Sequence, residues 1–213
     1  MLEFLKRFSH RRADRKVHLA APIIAAALLP SSRYTLGEWL NEQGLIGCGV
    51  EVGTYNGWYA ADLLHQWRGE KLYMIDAWRY LEYWDDPMNA QKEEQGRRLL
   101  NTFESVYKFG RRAVMIREMS EDAVRLFADG SLDFVYIDAD HSYAGVLQDI
   151  LRWAPKVKKG GTLAGHDYLD GPTSNGAVNS VKLTVDEWAR RVGLTVSVIE
   201  ERSGHEPSWL VRL

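Results

Sequence analysis

Residues 50–57, Val-Glu-Val-Gly-Thr-Tyr-Asn-Gly, constrain the fold of this chain more than any other stretch. A short apolar run from Gly49 meets an acid, Glu51, and two glycines, Gly53 and Gly57, then passes directly into an amphipathic segment, Trp58 to Trp67. That pattern predicts a strand, a tight turn and a helix. Glycines at such a turn permit positive φ and let a ligand lie against bare backbone, while the helix start offers N–H groups that no helical carbonyl takes. The spacing Glu-x-Gly-x-x-x-Gly differs from the Gly-x-Gly-x-x-Gly of dinucleotide turns, which sets more glycine under a pyrophosphate, so a ligand without a diphosphate fits better.

A second apolar run, Leu72 to Ile75, ends in Asp76. In doubly wound folds an acid at the tip of the second strand accepts hydrogen bonds from ribose hydroxyls, and its distance from the first turn suits that role. The two motifs together point to a nucleoside. At these residues the chain resembles the class I S-adenosylmethionine-dependent methyltransferases. The resemblance implies that Gly53 and Gly57 lie under the methionine part of the methyl donor, that Asp76 holds its ribose, and that Glu51, Thr54, Tyr55, Ala77, Trp78 and Asp138 border it. It also sets Ser120 beside the adenine, where a plain helix N-cap serves equally well. Glu51 is equally suited to tying down the turn through backbone N–H groups.

Size and charge narrow the rest. A chain of 213 residues suits one α/β domain with appendages. A formal charge of −2 gives no global field for nucleic acid, although Lys6, Arg7, Arg11, Arg12, Arg15 and Lys16 gather at the start. One cysteine, Cys48, rules out an internal disulfide and a multi-cysteine zinc site, which suits the reducing cytoplasm. The apolar run Leu19 to Leu29 imitates a secretion signal but lacks a clear cleavage site and contains Pro22. It is also far short of the about 20 residues that span a bilayer. A helix packed on the domain or on a partner subunit is the expectation, and with it a homo-oligomer. Residues 1–44 are accordingly read as a helical extension and 45–213 as the domain.

Strand-like and helix-like segments alternate along that domain. Strands are expected at Ala113–Arg117, Leu132–Ile137 and Thr162–Gly165, and a helix at Ser120–Ala128. Tyr143, Val146, Leu147, Ile150, Leu151 and Ala154 form one apolar helical face, closed by Pro155 and Gly160-Gly161. A polar loop, 166–179, precedes a helix through Val181, Val185 and Trp188, and two strand-like runs, 195–199 and 209–213, finish as a hairpin. Residues 78–112, aromatic at Trp78, Tyr80, Tyr83 and Trp84, form an insertion too long for a simple turn and are read as a cap over the site. The expected fold is α/β and doubly wound: a mostly parallel seven-stranded sheet with a C-terminal antiparallel strand, the Rossmann-like arrangement of the methyltransferases.

Two further clusters should meet at the carboxyl ends of the strands: Asp138-Ala139-Asp140-His141-Ser142 after the fourth and His166-Asp167 after the fifth. Together with Lys159-Gly160-Gly161 they resemble a bacterial branch of small-molecule O-methyltransferases, similar to those of macrolide sugars and of the cephalosporin pathway. In metal-dependent relatives a divalent cation is held by an acid after the fourth strand and an acidic pair after the fifth, positions that match Asp138, His166 and Asp167. The imidazole at 166 replaces a carboxylate there, which shifts preference from Mg²⁺ towards Mn²⁺. His166-Asp167 is equally readable as a strand-end turn. His141 stands at the spacing of the proposed base in the sugar-modifying relatives, and an imidazole, with a pKa of about 6.5, suits proton removal at neutral pH. Asp140 and Ser142 are read as caps of the following helix. The expected activity is methyl transfer from S-adenosylmethionine to a small hydroxylated acceptor, with Asp138 and His141 catalytic. A nicotinamide oxidoreductase and a non-catalytic binding module are the alternatives.

Overall fold

The computed structural model describes residues 29–82, 89, 91–172, 178–201 and 205–213. The N-terminal basic residues and the expected helix over 19–29, all but Leu29, lie outside these, as do Tyr83, Trp84 and Pro87 of the expected cap and residues 173–177 of the polar loop. Along the chain run α1 (Leu36–Glu42), β1 (Cys48–Val52), α2 (Trp58–Gln66), β2 (Lys71–Asp76), α3 (Lys92–Val106), β3 (Ala113–Arg117), α4 (Ser120–Ala123) and β4 (Leu132–Ile137). There follow α5 (Tyr143–Trp153), β5 (Val157–Gly165), β6 (Asp170–Pro172), β7 (Val178–Ser180), α6 (Val181–Val192), β8 (Ser197–Ile199) and β9 (Ser208–Arg212).

Seven strands form one sheet in the order β3-β2-β1-β4-β5-β9-β8. The pairs from β3 through β5 are parallel, whereas β9 runs antiparallel to both β5 and β8. This is the doubly wound, mostly parallel sheet with its antiparallel C-terminal strand. Parallel strands need covering on both faces, and period-2 alternation supplies apolar side chains to each. Leu72, Met74, Phe134 and Tyr136 point to the face covered by α1 and α2, with Leu36, Leu40, Leu63, Leu64 and Trp67. Ile75, Val135 and Ile137 point to the other, where Val146, Ile150 and Trp153 of α5 and Val185 and Trp188 of α6 close over them. β1 sits at the centre and, beyond Cys48, is wholly buried.

Three local readings need correction. The helix expected over 120–128 is a single turn, α4, followed by a 3-10 turn at Val124–Leu126. Phe127 breaks it: its backbone is extended and its ring packs against Tyr73 and Trp153 at 5.0 and 5.4 Å between centroids. The fifth strand begins at Val157, five residues before the expected start, so Gly160-Gly161 lies inside β5. There a Cβ on Gly161 would meet the Asp133 carbonyl oxygen at 2.6 Å. Finally, the polar loop contains a small antiparallel hairpin, β6 with β7. Its strands are too short to carry a readable alternation.

Gly49 of β1 shows how tightly the central strands pack, because a Cβ there would stand 2.1 Å from the fully buried ring of Phe134 on the neighbouring strand. Gly49→Ala is therefore expected to cost about 1–3 kcal/mol through overpacking. Calorimetry would read this as a Tm several degrees lower, and an unchanged Tm would show that the ring has room to yield.

Candidate active site

The strand tips gather at one end of the sheet, and the ladder continues one residue beyond them. Gly53 N–H donates to the Ile75 carbonyl at 2.8 Å, Asp138 N–H to that of Val52 at 2.8 Å, and His166 N–H to that of Ile137 at 3.1 Å. Gly53 has φ +87°, and a Cβ there would lie 2.0 Å from the Asp138 carbonyl oxygen. The glycine therefore lets the first turn close directly on the start of the acidic cluster. Gly57, φ +73°, is the N-cap of α2 and lies against α3, where a Cβ on it would stand 2.8 Å from the Thr102 Cα. Among the described residues, the non-glycine residues with positive φ, Tyr55, Trp78 and Asp167, lie just beyond the ends of β1, β2 and β5. Strained backbone of this kind persists where the surroundings over-determine it, often at functional sites.

Asp76 organises the turns after β1 and β2. Its carboxylate accepts from the Tyr55 N–H at 2.9 Å and from the Trp78 N–H at 2.8 Å, one bond to each oxygen. Burial pushes its pKa up against these two hydrogen bonds and the charge of Arg98. Each oxygen keeps a second lone pair, so a ribose hydroxyl has acceptors available. Trp78 is buried, its indole N–H donating to the Tyr55 carbonyl at 2.8 Å, so its ring packs under the turn as a structural wedge. The Arg98 guanidinium lies 4.4 Å from the centre of the Tyr55 ring, and Thr102 Oγ1 donates to the same Tyr55 carbonyl at 3.1 Å. Residues of α3 thus hold the first turn from outside. Ala77 is half-buried between these features.

Beyond β4 and β5, Asp138, His141 and Asp167 bring ligand-type atoms within 4.8 Å of one another. His141 Nε2 lies 3.5 Å from Asp138 Oδ1 and 3.2 Å from Asp167 Oδ2. His166 stands to the side, its Nδ1 3.0 Å from Asp167 Oδ1 and 3.9 Å from Asp138 Oδ2. The imidazole between the carboxylates is therefore His141. Ser142 caps α5 as expected, accepting from Gly145 N–H at 3.1 Å, and Asp140 accepts from Ser142 N–H at 2.8 Å. These caps fix where the chain leaves β4, and the Ser180 N–H at the end of β7 ties down the His141 carbonyl at 2.9 Å.

One contributor carries no motif. Arg33, in the turn before α1, extends its guanidinium to Asp138 Oδ2 at 3.2 Å and lies over the Tyr59 ring at 4.1 Å from its centre. Asp138 thus divides its oxygens between a guanidinium and an imidazole. Burial raises its pKa, but the hydrogen bond with His141 and the charges of Arg33 and His166 outweigh that and hold it below the ordinary value. Glu51, on the central strand, is nearly inaccessible, and burial pushes its pKa up to about 8. Repulsion from Asp138 adds to this, while Thr54 and Arg33 oppose it. An isolated arginine in Ser-Ser-Arg-Tyr offers no spacing signal, so only the fold reveals it.

Ser120 is engaged with α5. Its hydroxyl donates to Asp149 and accepts from the Trp153 indole N–H at 2.8 Å, an interior network with α5. Nor is it a cap, since Met119 holds that position in α4. Burial raises Asp149 to about 6 despite that hydrogen bond.

Turns beside acids after β1 and β2, with acids and imidazoles after β4 and β5, line the end of the sheet at which open α/β folds bind their ligands. The family model described as "Methyltransferase domain" matches residues 50–168, more than half of the chain, and the chain belongs to that family. It is a class I S-adenosylmethionine-dependent methyltransferase, which sets aside the nicotinamide and non-catalytic alternatives. No curated protein matches it in sequence. Among solved structures, an O-methyltransferase from Bacillus cereus in complex with S-adenosylhomocysteine aligns at 13% identity and TM-score 0.60, covering 89% of this chain and 84% of that one. A methyltransferase from Geobacter sulfurreducens aligns at 14% identity and TM-score 0.56, covering 85% and 76%. The 1,6-didemethyltoxoflavin-N1-methyltransferase of Burkholderia thailandensis aligns at 13% and 0.55, covering 89% and 79%. Likeness at these identities is one of fold.

The state of Glu51 gives a pH signature. Its folded pKa of about 8 stands above the ordinary 4.5, so the folded protein keeps a proton that the unfolded chain releases. The resulting stability is fully present below the unfolded value and is lost as pH rises through the folded one. Donor-free wild type is expected to lose Tm relative to Glu51→Gln between about pH 5 and about pH 8. A Tm difference that stays constant across that range would contradict the assignment.

Proposed function

We propose that this methyltransferase acts on a hydroxyl oxygen of a small molecule, of the sugar or glycosylated natural product class, at the Asp138–His141–Asp167 cluster. The observation that carries the reading is the imidazole of His141 held between two carboxylates beside the Gly53 turn. An alcohol is a poor nucleophile until it sheds its proton, and an imidazole faced by carboxylates gains stabilisation as it takes that proton. With Nε2 directed to the carboxylates, Nδ1 is the atom that receives it. Asp138 and Asp167 then act by orienting the ring and balancing the imidazolium.

A second reading is supported by the same atoms. Two carboxylates and an imidazole within 4.8 Å suit a divalent cation. A bound Mg²⁺ or Mn²⁺ would polarise the acceptor hydroxyl and fix its position. Asp138, His141 and Asp167 would hold it, with His166 at the margin, in place of the set Asp138, His166 and Asp167 that the resemblance implies. In this reading His141 serves as a ligand, and the proton leaves to another acceptor.

On the donor side the reading gives Glu51, Thr54, Tyr55, Gly53, Gly57 and Asp76 the borders of S-adenosylmethionine, and leaves Trp78 and Ser120 as supports. Among the described residues no helix is long and apolar enough to cross a membrane. The proposal places the enzyme in the cytoplasm, working on a diffusible acceptor and not on nucleic acid, as a homo-oligomer with residues 1–44 as its extension. The exposed Leu100, Phe103 and Tyr107 of α3 and the turn after it give a subunit contact an apolar surface.

His141→Ala is expected to lower the single-turnover rate about 10²-fold or more while S-adenosylhomocysteine affinity changes little. An unchanged rate removes the base. Exhaustive chelation followed by Mn²⁺ or Mg²⁺ separates the two readings: activity lost and restored supports the cation, and full activity in chelator supports the imidazole alone. Product analysis with an isotopically labelled methyl donor across hydroxylated and amino acceptors checks the oxygen, and transfer confined to nitrogen would replace it.

A further inference from the structure

Between the first turn and the start of α1, two charged side chains each leave one buried atom with no hydrogen-bond partner among the described residues, Glu51 Oε2 and Arg33 Nε, while the Thr54 hydroxyl leans on the Glu51 carboxyl. Glu51 is 2% and Thr54 4% exposed, and the Arg33 side chain 11%. Leaving such groups unpaired out of water is costly, so a ligand that pairs with both is favoured there. The pair has a definite polarity: a carboxylate that accepts and a guanidinium that donates. An anion alone would satisfy Arg33 and be repelled by Glu51 in its ionised form, and a cation alone would do the reverse. A group bearing an ammonium and a carboxylate a few ångströms apart satisfies both.

We propose that Arg33 anchors the α-carboxylate of S-adenosylmethionine, with Glu51 taking its α-ammonium, so that the turn before α1 supplies the donor's carboxylate subsite. The inference rests on the assignment of the donor to the Gly53 turn. Arg33 lies outside residues 50–168, so the family match does not carry this role to it.

The guanidinium is built into place. Ser32 and Thr35 cap the turn reciprocally, Ser32 Oγ accepting from the Tyr34 N–H at 3.2 Å and Thr35 Oγ1 from the Ser32 N–H at 3.2 Å. The Arg33 N–H donates to Glu201 Oε1 at 2.5 Å, and its carbonyl accepts from the Tyr59 hydroxyl at 3.3 Å. The side chain is then held between the Tyr59 ring and Asp138 Oδ2, which leaves the Nε edge for a further acceptor. Charge-assisted bonds from a preorganised guanidinium to a carboxylate are among the stronger polar contacts.

The test compares S-adenosylhomocysteine with its decarboxylated analogue, which lacks only the carboxylate, by isothermal titration. Wild type is expected to bind the intact compound about 10- to 100-fold more tightly than the analogue. In Arg33→Ala the intact compound should weaken by about that factor while the analogue changes less than about threefold, and Arg33→Lys should recover part of the loss. Circular dichroism and Tm establish that the variants fold. If they do not, the wild-type comparison decides alone, because equal affinity for both compounds overturns the proposal. A parallel loss for both compounds in Arg33→Ala would make Arg33 a merely structural residue and overturn it as well. Wild type that binds neither compound would remove the donor assignment itself, a different outcome from binding both equally.

Discussion

The contact between Gly53 and the carbonyl of Asp138 is the constraint on which the site depends. A side chain at 53 would stand 2.0 Å from that oxygen, so the turn after β1 and the acidic segment after β4 touch only because nothing projects between them. The glycine turn and the acidic cluster belong to strands that are neighbours in the sheet and far apart in sequence, and the parallel pairing of β1 with β4 brings their tips level. Around this closure lie Glu51 on β1, His141 after β4 and Asp76 at the end of β2.

Side by side, the site alternates basic and acidic side chains. Arg33 leads to Asp138, Asp138 to His141, His141 to Asp167, and Asp167 to His166, each step between 3.0 and 3.5 Å. Such a chain lets carboxylates stay ionised in a crevice that burial would otherwise neutralise, which is why Asp138 sits below its usual pKa while Glu51, where burial outweighs Thr54 and Arg33, sits well above. The contrast between these two acids, both at the tips of central strands, separates an ionised group suited to orienting an imidazole from one that burial keeps protonated until a positive charge comes near.

Much of this is legible in the residues, and the reason differs from one part to the next. β1, β2 and β4 announce themselves as short apolar runs ending in an acid, and α5 and α6 by their 3.6-residue spacing, because deep burial on both sheet faces imposes those patterns. Asp138, His141 and Asp167 could be placed together because parallel strands must present their carboxyl ends to one crevice. Shorter elements escape: α4 is one turn ended by Phe127, and β6 and β7 are three residues each, below the length at which periodicity speaks. Side-chain direction escapes too. Ser120 and Trp78 sit where the fold class leads one to expect donor contacts, yet the first turns to Asp149 and the second beneath Tyr55. Arg33 has no pattern at all, and its role comes from distant partners, Glu201 and Asp138, that only the tertiary structure brings near.

The link between Arg33 and Glu201 joins the segment leading into α1 to the one leaving β8. These two stretches flank the sheet from opposite ends of the chain, and each is the sort of peripheral region that is exchanged freely when chimaeras are made between distant homologues. Here they act as two halves of a clasp: graft one without the other, and the guanidinium loses the backbone hold that orients it. Recombination at this edge therefore has to move both pieces together.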